Sequence, residues 1–280
     1  MCIRDRIEGE RSSEVQQALN RRVSPLILRR TKDQVASELP AKTEILHHVE
    51  LNKKQTRLYE SVRASMDKRV REAIEVKGMC RSHIVALDAL LKLRQICCHP
   101  QLLKEGTGEV ESAKLDYLVD ELLPTLLEEG RRILLFSQFT SMLALIEEQL
   151  VHRAIDFLKL TGQTRNRGEL VEEFQRGEVP VFLISLKAGG TGLNLTAADT
   201  VIHYDPWWNP AAENQASDRA HRIGQTKPVF VHKLIAEGTI EQRIQELQAK
   251  KAALVEALLT DDTVKLKLDQ ETLSRLLAPL

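Results

Sequence analysis

From residue 113 onward the chain alternates between two hydrophobic rhythms. Apolar residues at helical spacing fill 113–129, 140–152, 167–176 and 239–258. Between them stand short apolar runs: "RRILLFSQF", "FLKL", "VFLISL", "TVIHYD" and "VFVHKLI". Continuous apolar strands alternating with helices predict an α/β fold, a parallel sheet covered by helices on both faces. Upstream the rhythm is different. Residues 52–76 and "SHIVALDALLKLRQICCHP" read as two helices, the second stopped by Pro100. "EILHHVEL" (44–51) is a strand candidate, and "KEGTGEVES" (104–112) is polar and Gly-rich like a linker. The pattern divides the chain into a mainly helical region, 1–110, an α/β region, 111–258, and a helical tail, 259–280. Residues 1–10 follow no readable pattern, and no 20–50-residue period repeats.

Four polar clusters each follow directly on a predicted strand: Ser137-Gln138, Thr161-Gly162, Lys187 to Gly192, and Pro206 to Pro210. In open parallel sheets ligands bind at the carboxyl ends of strands, so the four clusters are expected along one edge. Asn209 is a good N-cap and Pro210 suits the first helical position, which starts a helix there. That helix is expected to run through "NQASDRAHRIGQ" (214–225). Gln215, Arg219 and Arg222 then share one stripe, at the edge of a small, buried face made by Ala212, Ala216, Ala220 and Ile223. Glu213 falls on the opposite side. A plain reading of that stripe is a solvated edge with an Asp218–Arg222 pair, worth a few tenths of a kcal/mol.

"KAGGTGLNL" brings Gly189, Gly190 and Gly192 together, so backbone N–H groups can converge on an anion. No G-x-x-x-x-G-K-[ST] phosphate loop occurs in the chain, and a simple bend explains this segment equally well. Trp207 and Trp208 are the only tryptophans. Buried packing is the default for tryptophan, but two neighbours in a loop cannot easily both point inward, which makes one a candidate stacking surface. Cys97, Cys98 and His99 are consecutive, and adjacent helical residues point about 100° apart, so packing rather than a metal site is expected. His47-His48 reads as a strand pair with one side chain in and one out.

Composition narrows the class without choosing it. The 280 residues are 42% hydrophobic and 29% charged, with a formal net charge of zero. Residues 1–110 carry 21 Lys and Arg against 15 Asp and Glu, and the remainder carries 19 against 25. The basic first part suits a polyanion partner, whereas zero net charge argues against broad nonspecific nucleic-acid affinity. No apolar run reaches membrane-spanning length, no signal peptide is visible, and four cysteines without framework spacing suit a reducing compartment.

"LKAGGTGLNLTAADTVIHYDPWWNPAAENQASDRAHRIGQTKPVFVHKLIAEGTIEQRI" closely resembles helicase motifs five and six of the Swi/Snf-type ATPases. "RRILLFSQFTSML" is similar to their motif four, and "LTGQT" to the DNA-facing segment after it. "PLILRRTKDQVASELPAKTE" and "LKLRQICCHPQLL" resemble the stretches between the family's two motor lobes. The resemblance spans residues 20–258. It implies a RecA-like helicase C-terminal lobe, preceded by the tail of the first lobe and a helical protrusion region. It implies a DNA-dependent ATPase that translocates on duplex DNA and remodels protein–DNA complexes, using ATP with Mg2+. The first lobe holds both in this family, and its Walker A and DEAH motifs have no match here, so activity of the chain alone is in question. The implied partners are that first lobe, double-stranded DNA and a DNA-bound protein complex, with no membrane. The implied location is the bacterial cytoplasm, at the nucleoid, or a eukaryotic nucleus.

Carried over by matching motif, Arg219 and Arg222 become arginine fingers for the γ-phosphate. Gly190, Gly192 and Gln215 become nucleotide-side residues, and Ser137, Gln138, Thr161, Gly162, Lys187 and Trp208 the DNA side. No metal ligand is assigned. The alternative is a half-motor that binds DNA or a partner without hydrolysing ATP. With no first lobe to join, "EILHHVEL" is expected to lack a sheet, leaving 1–110 less well packed than 113–258.

Overall fold

The apolar runs become strands because both of their faces are covered. The computed structural model describes residues 38–103, 110–189, 192–258 and 270–280. The strands are β1 (Lys42–Val49), β2 (Ile133–Ser137), β3 (Phe157–Leu160), β4 (Val181–Ser185), β5 (Thr200–His203) and β6 (Val229–Ala236). All pair in parallel, in the order β1-β6-β5-β2-β4-β3. Every residue of β2, β4 and β5 is buried, as a doubly covered sheet requires.

Alternate strand residues feed two cores. Ile133, Leu135, Val181, Leu183, Ile202 and Tyr204 pack under the helical run α3 (Ala113–Asp116) to α4 (Leu123–Glu128) and under α5 (Thr140–His152). Leu134, Phe136, Phe182, Ile184, Val201 and Val231 pack on the other face. That face is covered by α6 (Arg167–Arg176), by α8 (Pro210–Ser217), and by Leu195 and Ala198. Between them α7 (Leu186–Gly189) follows β4. A six-residue π segment, Tyr117–Leu122, joins α3 to α4 directly ahead of Pro124. Proline lacks the N–H and crowds the carbonyl four residues back, which the wider turn relieves.

A third core sits at the carboxyl end of β6. Helices α1 (Lys53–Lys77) and α2 (Met79–Cys98) form a hairpin that packs on α9 (Ile240–Leu258) and α10 (Gln270–Leu276). Asn52 caps α1 by accepting from the Gln55 N–H at 2.9 Å. The hairpin turns at Gly78, whose φ of 72° favours glycine. Cys97 faces this core and Cys98 faces the first, so the adjacent thiols diverge as their helical spacing predicts. A buried pair latches α3 to α9. The Lys114 ammonium donates to both Glu241 oxygens, at 3.0 and 2.8 Å, and to the Leu234 carbonyl. Burial pulls the Lys114 pKa down, but the Glu241 carboxylate outweighs it and holds the ammonium above its usual range.

The structure overturns the expectation that the first strand lacks a sheet. All eight residues of β1 pair with β6, from Lys42 opposite Val229 to Val49 opposite Ala236. Without β1, β6 would present a long row of unpaired backbone groups. Residues Pro40–Leu280 form one compact unit, so the part of 1–110 described from Pro40 onward is packed with the α/β region rather than apart from it. The predicted linker at 104–109 lies outside the described residues; Ser112, at its end, caps α3.

Candidate functional site

The clusters predicted to follow strands do share one edge, because every strand runs the same way. Ser137 ends β2, Thr161 follows β3, Lys187 follows β4 and Asp205 follows β5. What they do there differs. Ser137 is buried, and its hydroxyl donates to Asp205 Oδ1 at 2.5 Å. The Gln138 N–H donates to the same carboxylate at 3.2 Å. Thr161 is half-buried and folds over its own turn, its hydroxyl accepting from the Gln163 N–H at 3.3 Å. Gly162 and Lys187 are exposed on this edge.

Asp205 is the centre of a buried knot that the sequence reading missed. Arg94, on α2, reaches it at 3.8 Å and is 2% exposed. The guanidinium also donates to Gln138 Oε1 at 3.1 Å and to the Pro206 carbonyl. Its carbon lies 5.6 Å from the Trp207 ring centre and 5.7 Å from that of Trp208. Burial raises the Asp205 pKa, while Arg94 and the Ser137 hydroxyl oppose the rise. Arg94 Nε and Gln138 Nε2 are buried and find no acceptor among the described residues. Each such group costs about 1–3 kcal/mol. One signal for Arg94 was legible: it falls on the apolar stripe of α2, between Leu90, Leu93 and Cys97. Both tryptophans are half-buried against it, so neither is the free stacking surface the sequence suggested.

Beyond Trp208 the chain enters α8. Asn209 caps it by accepting from the Ala211 N–H at 3.1 Å, with Pro210 first in the helix. The Trp207 N–H donates to Glu213 Oε1 at 2.6 Å, and Lys233 lies 3.4 Å from the same carboxylate. Glu213 is therefore buried, not on the wet side where helical spacing put it. The helix also ends sooner than predicted, at Ser217. Residues 218–225 are turns, with Gly224 at φ 101°. Ala216 and Ala220 are buried as expected, but Ile223 is 79% exposed.

Gln225 explains the turns. Its side-chain amide donates to the carbonyls of Thr196, Ala198 and Ala220, and its oxygen accepts from the N–H groups of Thr226 and Lys227. The Leu195 N–H donates to the Arg219 carbonyl at 3.0 Å. At the other end, the Ser217 hydroxyl meets His203 Nε2 at 2.9 Å. The segment thus runs down one face of the sheet, from the last residue of β5 to the loop that enters it. Arg219 and Arg222 lie on that descent and not at the carboxyl edge. They do not share a helical stripe with Gln215, which is exposed on α8. Arg219 is 9% exposed and Arg222 is exposed. Burial, and then the neighbouring Arg222 guanidinium, pull the Arg219 pKa down against Asp218. Gly192 has φ 51°, and Gly190 lies outside the described residues.

This geometry agrees with known families. The helicase conserved C-terminal domain matches residues 113–224 and the SNF2-related domain matches 2–102. The SWI2/SNF2 ATPase C-terminal domain of Sulfolobus solfataricus superposes with a TM-score of 0.67 at 31% identity, over 85% of this chain and 99% of that one. The chain belongs to the SWI2/SNF2 family of ATPases. The Sulfolobus solfataricus SWI2/SNF2 core solved with double-stranded DNA aligns at 33% identity and TM-score 0.67, over 95% of this chain and 56% of that one. A Mycoplasma pneumoniae protein named an uncharacterized ATP-dependent helicase is 40% identical over 261 residues, 92% of this chain. The chain spans about a quarter of the length of such curated SWI2/SNF2 relatives. Its sheet is that of the RecA-like C-terminal lobe, preceded by a helical region. No described helix is long and apolar enough to cross a membrane.

Proposed function

We propose that this chain is the C-terminal motor lobe of a DNA-dependent ATPase that translocates on duplex DNA and remodels protein–DNA complexes. Arg219 and Arg222 present their guanidinium groups to the γ-phosphate of ATP held by a first lobe. What supports this reading is that both arginines lie within the segment 113–224 that matches the helicase conserved C-terminal domain, on the turn that the Gln225 amide holds. An anion between two guanidinium groups relieves their repulsion, and a transferring phosphoryl group is such an anion. The pair is set by a short helix and a side-chain-capped turn, which fixes it before the phosphate arrives. The residues fit ATP through its phosphates. We assign Mg2+ and the nucleotide mainly to the first lobe, as the resemblance of the motifs to the SWI2/SNF2 ATPases implies. Gly192 and Gln215 belong to the nucleotide side, as does Gly190 by motif. Gln138, Thr161, Gly162, Lys187 and Trp208 belong to the DNA side, with contacts to phosphates that carry no base sequence. Ser137 acts there through Asp205.

In the full-length protein, R219A and R222A are each expected to lower DNA-stimulated ATP turnover by about 10³-fold while duplex affinity is retained. Unchanged turnover refutes the finger assignment. Duplex binding by the wild type with no turnover under any condition supports the half-motor instead.

A further inference from the structure

Helix α2 lies outside every segment matched above to nucleotide or DNA, yet it supplies the side chain that ties those segments together. Arg94 bonds the first residue beyond β2 through Gln138, and the second and third beyond β5 through Asp205 and Pro206. Its guanidinium stacks against Trp207 and Trp208. Trp207 is gripped again by Glu213 of α8, at its N–H, and by Gln248 of α9, at its carbonyl, both at 2.6 Å. The segment Asp205–Trp208 is therefore a junction. On one side lie Gln138 and Trp208, and on the other α8 leads in two turns to Arg219.

We propose that Arg94 is a positioning residue that couples DNA contact to ATP turnover by holding this junction in one geometry. The inference rests on the functional reading above. A displacement of the carboxyl edge reaches α8 by two links: the Gln138 backbone N–H bonds Asp205 directly, and among the described residues the Gln138 side-chain oxygen is tied to Asp205 and Pro206 through the guanidinium. Stability alone does not account for an arginine here. A buried ion pair is weak evidence for stability, because an apolar side chain of similar volume packs without desolvating charge. The planar fork is what the geometry uses, with donors to two acceptors and its central carbon over two indole rings. A lysine offers a point charge and neither feature.

The test compares R94M and R94K with the wild type in the full-length protein, measuring turnover with and without saturating duplex DNA. DNA-stimulated turnover is expected to fall about 10²-fold in both variants, the scale of a small misplacement in a reacting geometry. Turnover without DNA and the half-saturating DNA concentration are expected to stay near wild type. Emission from the 280-residue chain gives a second readout, because its only tryptophans are Trp207 and Trp208. Both variants are expected to shift it without losing the cooperative urea transition; should R94M fail to fold, R94K decides. Equal loss of stimulated and unstimulated turnover shows a merely structural role and overturns the proposal, as does full DNA stimulation in R94K. A wild type whose turnover DNA does not stimulate overturns the functional reading and this inference with it. DNA-stimulated wild type with an unaffected R94M overturns this inference alone.

Discussion

The two charged regions on this lobe are built on opposite terms. At the carboxyl edge Arg94, Asp205, Ser137 and Gln138 bond one another in the interior, with Arg94 Nε and Gln138 Nε2 left over. On the face below, the turn at 218–225 is held by the backbone, by the Gln225 amide and by the His221 ring against the Pro40 carbonyl. Arg222 is exposed, and Arg219 is held beside it against mutual repulsion. The first arrangement uses charge to fix a shape. The second fixes its shape largely with amide and backbone hydrogen bonds. That contrast separates residues that position from residues that bind, and mutation can test it.

The largest effect is expected at Asp205. D205A removes the acceptor of the Ser137 hydroxyl and the Gln138 N–H and leaves the Arg94 guanidinium buried without its counter-charge. Stranding one member of a buried pair costs about 3–5 kcal/mol, to be read from urea denaturation. R94M is expected to cost clearly less. A carboxyl whose pKa burial has already raised can take a proton when its partner leaves, whereas a guanidinium cannot shed one. Equal losses for the two substitutions would mean that the knot is held by packing and not by charge.

Gln225 is the matching position in the other region. Q225A strands the carbonyls of Thr196, Ala198 and Ala220 and the N–H groups of Thr226 and Lys227. Some of these reach water once the turn loosens, so a loss of about 2 kcal/mol is expected. Proteolysis should then cut first between residues 218 and 225. A variant with native protection in this segment would show that something other than the Gln225 amide holds the turn.

How much of this was legible in the sequence depends on the range of the force involved. The sheet and its carboxyl-edge clusters were legible because burial on both faces imposes a local pattern, as in "RRILLFSQF" and "VFLISL". The start of α8 was legible because capping is local too. Its end was not. Helical spacing carried the prediction past Ser217, whereas Gln225 stops the helix by bonding residues 27 and 29 positions away. The misplaced Ile223 follows from that error, whereas Glu213 lies within α8 and is buried because the Trp207 N–H and Lys233 meet its carboxylate. The partner of "EILHHVEL" was hidden for the same reason, since a strand's pattern does not name the edge it joins. Arg94 left a trace, a cation on an apolar stripe, but nothing local said that Asp205 waited 111 residues downstream.

The smallest expected effect joins the two regions. His203 ends β5, stacks on Phe136 at 5.6 Å and meets the Ser217 hydroxyl where α8 gives way to the turn. Burial first, and then the Lys233 charge, lower its pKa from 6.5 to about 3. In the unfolded chain it takes up a proton near pH 6.5, while the folded lobe keeps it neutral. Below pH 6.5 the unfolded state therefore binds more protons, and stability falls as pH falls, until about pH 3. Above pH 6.5 the two states bind equally and the slope vanishes. The most that one such group contributes is about 1.4 kcal/mol per pH unit. His232, lowered to about 4 chiefly by burial, adds a slope of the same sign in the same window. Asp205 acts in the opposite sense because its pKa is raised. Urea midpoints of wild type and H203Q between pH 4 and 6.5 isolate the His203 share, since the other groups are common to both chains. H203Q should flatten the acid slope and leave stability near pH 7.5 little changed. An unchanged slope would mean that His203 is protonated in the folded lobe, and that the hinge between the edge and the turn carries a charge.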